Sequence, residues 1–295
     1  MTTTERPRAA RREEAVTERV LASFDQSPDP RLREVMHSLV RHLHAFARDV
    51  RLSEAEWETA IEFLTRAGHI TDERRQEFIL LSDVLGLSML TVAINEQDTQ
   101  GATEATVFGP FFVDDAPEAP LGGNLARGAT GTPFYVSGQV RSVDGTPIDG
   151  ARVDVWGADD DGYYDVQYDG DRSAGRGWLR TDPDGGYRFW TVLPAPYPIP
   201  HDGPVGDLLA AAGRGPMRPA HLHFKVAAPG HRTLITHVFV AGDPYLDRDA
   251  VFGVKDSLVV EPGHHRAGPA PDGTHPRDNW TSMTFDLVLA PADHH

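Results

Sequence analysis

Apolar residues recur at helical spacing through the first hundred positions and at strand spacing after them. Leu32, Val35, Met36, Leu39, Leu43 and Phe46 fall at steps of one, three or four, and Ser27 or Asp29 ahead of Pro30 supplies a start signal for that helix. Ser53-Glu54-Ala55-Glu56 is a capping box, in which hydroxyl and carboxylate satisfy orphan amides reciprocally. The helix it opens carries Trp57, Ile61 and Leu64 and is expected to stop at Gly68. Thr71, followed by Asp72 and Glu73 where the helix dipole favours negative charge, is expected to open a long helix with Phe78, Leu81, Leu85, Met89 and Val92 on one face. Phe78–Ile94 is the longest apolar stretch; Ser82 and Asp83 interrupt it and it is slightly short for a membrane span, so it is predicted to be a buried helix.

From about Thr106 the period changes. Val136–Val140, Ala151–Trp156, Tyr187–Leu193, His221–Val226, Leu234–Val240, Ser257–Val260 and Thr281–Leu289 alternate or run apolar over strand lengths, separated by turn signals such as Asp144-Gly145, Asp161-Gly162 and Asp184-Gly185. Of the 28 glycines and 23 prolines, the first hundred residues hold only Pro7, Pro28, Pro30, Gly68 and Gly86, so helix is permitted there and mostly excluded beyond. The expectation is a mainly β chain: a helical N-terminal domain over 1–105, then an antiparallel β-sandwich or barrel over 106–295. Pro194–Pro219 is too rich in Pro and Gly for regular structure, and an ordered loop of that length is uncommon without a task.

A net charge of −16 opposes nucleic acid and anionic membranes as partners. With no cysteine among 295 residues there is no disulfide, no thiolate nucleophile and no soft thiolate ligand, which leaves His, Tyr, Asp and Glu to hold a hard or borderline metal. The first sixteen residues mix arginines with acidic residues and lack an apolar run, so they read as a solvated lead-in and not a secretory signal; a cytoplasmic location follows by default.

The strand after Pro219 carries the most suggestive chemistry. His221 and His223 are two apart, so their imidazoles share a face with Cα atoms roughly 6.5–7 Å apart, while Leu222, Phe224 and Val226 fall on the other. Arg218 precedes them as a fixed positive charge. A cupin-type site lacks its Glu after His223, and a facial-triad carboxylate would stand where His223 does. Third ligands for a zinc site are available in His201, His231, His237 and Asp243, none singled out by spacing, and the phenols of Tyr163, Tyr164 and Tyr197 lie in turn or loop contexts. The clusters Asp159–Asp161 and Asp182–Asp184 fail the calcium-loop pattern at its first and last positions and are read as turns.

The segments DVWGADDDGYYDVQ (154–167), GYRFWTVLPAPYPIPHDGPVG (186–206), RPAHLHF (218–224) and HVFVAGDPYLDRDAVFGVKDSL (237–258), with EATVFGPFFV (104–113) and the helical N-terminal region, resemble the intradiol ring-cleaving dioxygenases. The resemblance implies a transthyretin-like sandwich and one Fe(III) per subunit held by Tyr164, Tyr197, His221 and His223, with Arg218 as the active-site arginine and O2 as co-substrate. A hard ferric ion suits phenolate ligands, because a bound cation lowers the pKa of the groups that ligate it. A 1,2-dihydroxybenzene would bind through both oxygens and displace Tyr197, which takes one of its protons, and the ring would open to a muconate diacid. Arg218 would stabilise negative charge building on the ring, a structural salt bridge being the other reading.

The pocket wall implied by the resemblance is Leu80, Asp83, Val107, Phe108, Gly109, Pro110 and Phe111, with Ile199, Pro200 and Val251 opposite. Asp83 is its one carboxylate. It either accepts a hydrogen bond from a third substrate hydroxyl, which favours hydroxyquinol (benzene-1,2,4-triol) over catechol, or caps a local network. The 237–258 segment is closer to the hydroxyquinol-cleaving branch, the catechol branch being expected to carry Gln where His237 stands. The family's dimers form through the N-terminal helices, in some members with a phospholipid between subunits, and Phe78–Ile94 offers apolar surface for this as well as for burial within the monomer. The rivals are a zinc or cupin-like hydrolase and a non-catalytic transthyretin-like binding module.

Overall fold

The structure, a computed structural model, describes residues 5–73, 75–96, 99–170 and 173–292. The chain divides into two compact units between Arg66 and Ala67. The first holds α1 (Glu5–Phe24), α2 (Pro30–Asp49) and most of α3 (Glu54–Ile70). The N-terminal segment expected to be a solvated lead-in is thus helical from Glu5. Asp29 caps α2, its carboxylate accepting from the amides of Arg31 and Leu32 at 2.8 and 3.2 Å. Buried Thr17 joins α1 to α2 through His44 Nδ1 at 3.0 Å and Arg48 Nη1 at 2.9 Å. The capping box forms as predicted: the Glu56 carboxylate accepts from the Ser53 amide at 2.8 Å, and the Ser53 hydroxyl from the Glu56 amide at 3.3 Å. Leu32, Val35, Leu39, Leu43 and Phe46 form an exposed apolar stripe on α2.

The long helix expected from Thr71 is instead two short ones, α4 (Glu77–Val84) and α5 (Leu87–Asn95), bent by 76° at their junction. Gly86 makes the break with φ +74°, which a β-carbon disfavours. Thr71 closes α3 instead of opening α4: its hydroxyl donates to the Ala67 carbonyl at 2.7 Å. Nor is the stretch buried throughout. Leu80, Asp83, Val84 and Met89 face inward, whereas Phe78, Ile79, Leu85, Leu87, Leu90 and Ile94 are exposed. Among the described residues no single helix is long and apolar enough to cross a membrane.

Two five-stranded sheets follow. One contains β1 (Pro133–Ser142), β4 (Gly186–Val192), β10 (Gly263–His265), β11 (Trp280–Thr284) and β12 (Leu287–Leu289). The other runs in the order β3 (Arg176–Arg180), β2 (Arg152–Gly157), β7 (His221–Ala227), β8 (Leu234–Val240), β9 (Val259–Val260). The expected purely antiparallel sandwich is corrected: β1 pairs with β11 and β12 in parallel, and β8 with β9 likewise, so both sheets are mixed. Apolar side chains of both sheets, among them Phe134, Val136, Phe189, Val153, Leu222, Phe224 and Val226, share one core.

The Pro/Gly-rich segment is also more regular than its composition suggests. It contains β5 (Tyr197–Pro198) paired with β6 (Met217–Arg218), and between them α6 (Pro204–Ala211), with Pro204 in its first turn where a missing amide costs nothing. Glu77 is buried and accepts from the Val205 amide at 3.0 Å, while Arg214 donates to the carbonyls of Val84 at 2.5 Å and Ala250 at 3.0 Å. Both ends of α4, and hence Asp83, are therefore pinned, its start to the first turn of α6 and its end, through Arg214, to the loop before β6.

Candidate active site

Alternation on β7 decides the site. Leu222, Phe224 and Val226 enter the core between the sheets, which turns His221 and His223 to the opposite, equally buried face. Tyr197 reaches them because β5 pairs with β6, in register opposite Arg218. Tyr164 follows β2 in the turn region, fully buried, whereas its neighbour Tyr163 is 51% exposed, as divergent successive side chains require.

Four candidate donor atoms meet there. Tyr164 Oη lies 2.7 Å from His223 Nε2 and 3.2 Å from Tyr197 Oη, and His221 Nε2 lies 3.2 Å from His223 Nε2. The Pro219 carbonyl accepts the Nδ1 proton of His221 at 2.6 Å, which leaves the Nε2 lone pair facing the cluster. Atoms bonded at about 2 Å to one ion stand about 2.8–3.3 Å apart, so the spacing and the converging lone pairs fit a small hard cation. Burial, then the Arg218 charge, holds His221 neutral, its pKa pushed down to about 3. His223 is likewise well below the usual histidine range, through burial and then its neighbours His221 and Arg218. Burial, reinforced by Tyr197, raises Tyr164 well above the usual phenol value, so its anion requires a cation beside it.

The surroundings hold these groups rigidly. Trp156 stacks on the His223 ring at 4.7 Å, and Phe111 on Tyr164 at 4.5 Å. Gly109 has φ +79°, and a β-carbon there would stand 2.9 Å from His223 Cε1, so only glycine allows this approach. Behind Tyr164, buried Arg176 pairs with Asp165, its Nε 2.7 Å from both carboxylate oxygens, and donates to the Phe111 carbonyl at 2.8 Å. Arg218 donates through Nη1 toward His221 Nε2 at 3.1 Å and Tyr197 Oη at 3.5 Å. Burial works against its charge, but Asp249 outweighs this and holds the guanidinium above its ordinary value.

His237 makes a third imidazole within 4.8 Å of His221 and His223. Its Nδ1 accepts from Arg218 Nη2 at 3.3 Å, which puts its proton on Nε2, and that nitrogen is buried without a partner among the described residues. His201, His231 and Asp243 lie in other contacts: His201 with the Ile199 carbonyl, His231 with that of Pro229, and Asp243 with the Ala220 amide.

Of the predicted wall, Leu80, Asp83, Val107, Ile199 and Val251 are buried, Pro200 is half-buried and Phe108 is exposed. Asp83 lies close enough to Arg218 and Asp249 for their charges to act on it, and burial raises its pKa. Pro110 and Phe111 line a surface hollow of about 700 Å³ shared with Val166, Gln167 and Tyr168. Sequence reasoning missed Asp249, Asp165 and Arg176. The only signal for them was the rule that a buried arginine needs a carboxylate, which says nothing about which one.

A mixed-sheet domain with two phenols and two imidazoles converging at a buried point defines a candidate metalloenzyme. Residues 107–291 match the dioxygenase family model and residues 29–103 that of the catechol dioxygenase N terminus, so the chain belongs to this dioxygenase family. A hydroxyquinol 1,2-dioxygenase of Nocardioides simplex is 62% identical over 282 residues, which are 95% of this chain and 96% of that protein. One from Rhodococcus opacus is 59% identical, over 95% of this chain and 94% of that one. The crystal structure of hydroxyquinol 1,2-dioxygenase from Pseudomonas putida DLL-E4 superposes with a TM-score of 0.90 at 46% identity, covering 95% of this chain and 99% of that chain. Catechol 1,2-dioxygenase from Pseudomonas arvilla C-1 gives 0.81 at 29% identity, covering 95% and 92%.

Proposed function

We propose that this protein is an intradiol dioxygenase that opens hydroxyquinol between its two adjacent hydroxyl-bearing carbons, with both atoms of O2 entering the product, 3-hydroxy-cis,cis-muconate or its tautomer maleylacetate. The observation that carries this is the convergence of Tyr164, Tyr197, His221 and His223 within 3.2 Å steps, in a chain 62% identical to a hydroxyquinol 1,2-dioxygenase. These four residues would hold one Fe(III) per subunit. Ferric iron, when bound, supplies the Lewis acidity and redox capacity that let a diol react with dioxygen.

The chain's own groups do the rest. Tyr164, locked by Phe111 and backed by Arg176, is the fixed phenol; Tyr197, on a two-residue strand beside Arg218, takes a proton from the incoming diol at Oη. Arg218 directs Nη1 at the reacting oxygens and stabilises charge developing on the ring. The apolar wall from Leu80, Val107 to Phe111, Ile199, Pro200 and Val251 seats the ring, and Asp83 accepts from the third hydroxyl. The exposed α2 stripe supports a homodimer through the N-terminal helices.

Turnover and iron content test the reading. One O2 consumed per hydroxyquinol, one iron per chain and a red to purple colour are expected; an iron-loaded protein that leaves hydroxyquinol intact would overturn it.

A further inference from the structure

Asp249 is buried, and its carboxylate takes four donors. Oδ1 accepts from Arg218 Nε at 3.1 Å and the Val251 amide at 3.3 Å; Oδ2 accepts from Arg218 Nη2 at 3.4 Å and the Gly253 amide at 2.8 Å. The turn it organises contains Phe252 at φ 60°, a conformation costly for an aromatic residue and kept only where the surroundings impose it. A β-carbon on Gly253 would stand 3.1 Å from both Arg218 Nη2 and Asp249 Oδ2, so the turn's backbone lies directly on the ion pair. A guanidinium is planar, and with Nε and Nη2 turned to the carboxylate, Nη1 is left to face Tyr197 Oη and His221 Nε2.

We propose that Asp249 is a positioning residue for ring cleavage: one carboxylate sets which Arg218 nitrogen faces the reacting diol and anchors Val251 beside it. The inference rests on the dioxygenase reading above. A wild-type enzyme that does not open hydroxyquinol overturns both together, whereas an active wild type isolates the role of Asp249. Asp249→Asn keeps the shape and removes the charge; Asp249→Glu keeps the charge and displaces it by one methylene. In both, kcat per bound iron is expected to fall about ten- to a hundredfold with iron content unchanged, since small misplacements of a catalytic group cost that much. The visible band of the anaerobic hydroxyquinol complex should shift from that of the wild type while the resting band stays. Because Asp249 acts through Arg218, the Arg218→Lys/Asp249→Asn pair should be no slower than Arg218→Lys alone. Should the Asn variant fail to fold, Asp249→Glu in the same Arg218→Lys background carries the comparison. A kcat per iron within about threefold of wild type in the folded variants, or fully additive losses in the pair, overturns the proposal.

Discussion

Asp83→Asn separates recognition of the third hydroxyl from general upkeep of the site. The side chain is buried near the Arg218–Asp249 pair, and the Ser88 hydroxyl donates to its neighbour Ser82 Oγ at 2.9 Å. A hydrogen bond from a substrate hydroxyl to a buried carboxylate contributes about 1.5–3 kcal/mol. Asparagine keeps an acceptor oxygen but drops the charge, a loss of about 1–1.5 kcal/mol, so the ratio of kcat/KM for hydroxyquinol to that for catechol falls about 5- to 13-fold, with catechol itself little affected. Steady-state oxygen uptake with both substrates measures the ratio. A ratio within about threefold of wild type, or equal losses on both substrates, refutes the assignment. Stability provides a second reading of opposite sign. Burial raises the Asp83 pKa in the folded state, so the ionised carboxyl is a penalty once the pH exceeds the unfolded value near 4. Asp83→Asn should then melt higher than wild type at pH 7, with the gap closing as the pH falls below about 4. Gain of stability with loss of selectivity is the signature of a group kept for function.

Tyr164→Phe removes one proposed ligand oxygen and should cut iron retention on dialysis at least about tenfold and shift or abolish the visible band; unchanged iron and spectrum would place Tyr164 outside the coordination. Asp165→Asn leaves the Arg176 guanidinium buried without its charge partner. A cost of about 3–5 kcal/mol, on the order of a 10 °C lower melting temperature, is expected by calorimetry, and a melt within 2 °C of wild type, about 0.5–1 kcal/mol, would be inconsistent with it. Leu39→Glu places a charge in the middle of the α2 stripe. Sedimentation should then give a monomer at micromolar concentration, and an unchanged dimer would rule that face out.

What the sequence made legible followed local rules. The Asp29 cap, the Ser53–Glu56 capping box and the β7 alternation each depend on neighbours a few residues apart, and each is present. The misreadings come from longer range. Helical periodicity from Thr71 to Ile94 runs straight through Gly86, whose left-handed backbone redirects the chain without disturbing the apolar count. Parallel pairing of β1 with β11 and β12 joins residues nearly 150 positions apart and leaves no trace in strand composition, so the sheets could only be guessed as antiparallel. In Pro194–Pro219, composition argued against regular structure, yet Pro204 starts a helix instead of breaking one.

The candidate site shows the same division. His221 and His223 declare themselves by spacing, and Tyr164 and Tyr197 could be set beside them only through the resemblance of whole segments. Their supports are invisible from sequence because they are charges withdrawn from water. Asp249 lies 31 positions from Arg218, and Arg176 lies 11 from Asp165 and 65 from Phe111. Removing either carboxylate would leave a guanidinium buried without compensation, so each pair holds its segment in place more firmly than an exposed bridge of the same length could. Burial also keeps the imidazoles neutral and Tyr164 protonated. Arg218, kept charged by Asp249, faces the same cluster and donates toward His221 Nε2 at 3.1 Å and Tyr197 Oη at 3.5 Å. His237 stands apart from the four candidate donors, because its Nδ1 lone pair already accepts from Arg218 Nη2 and its other nitrogen then carries the proton.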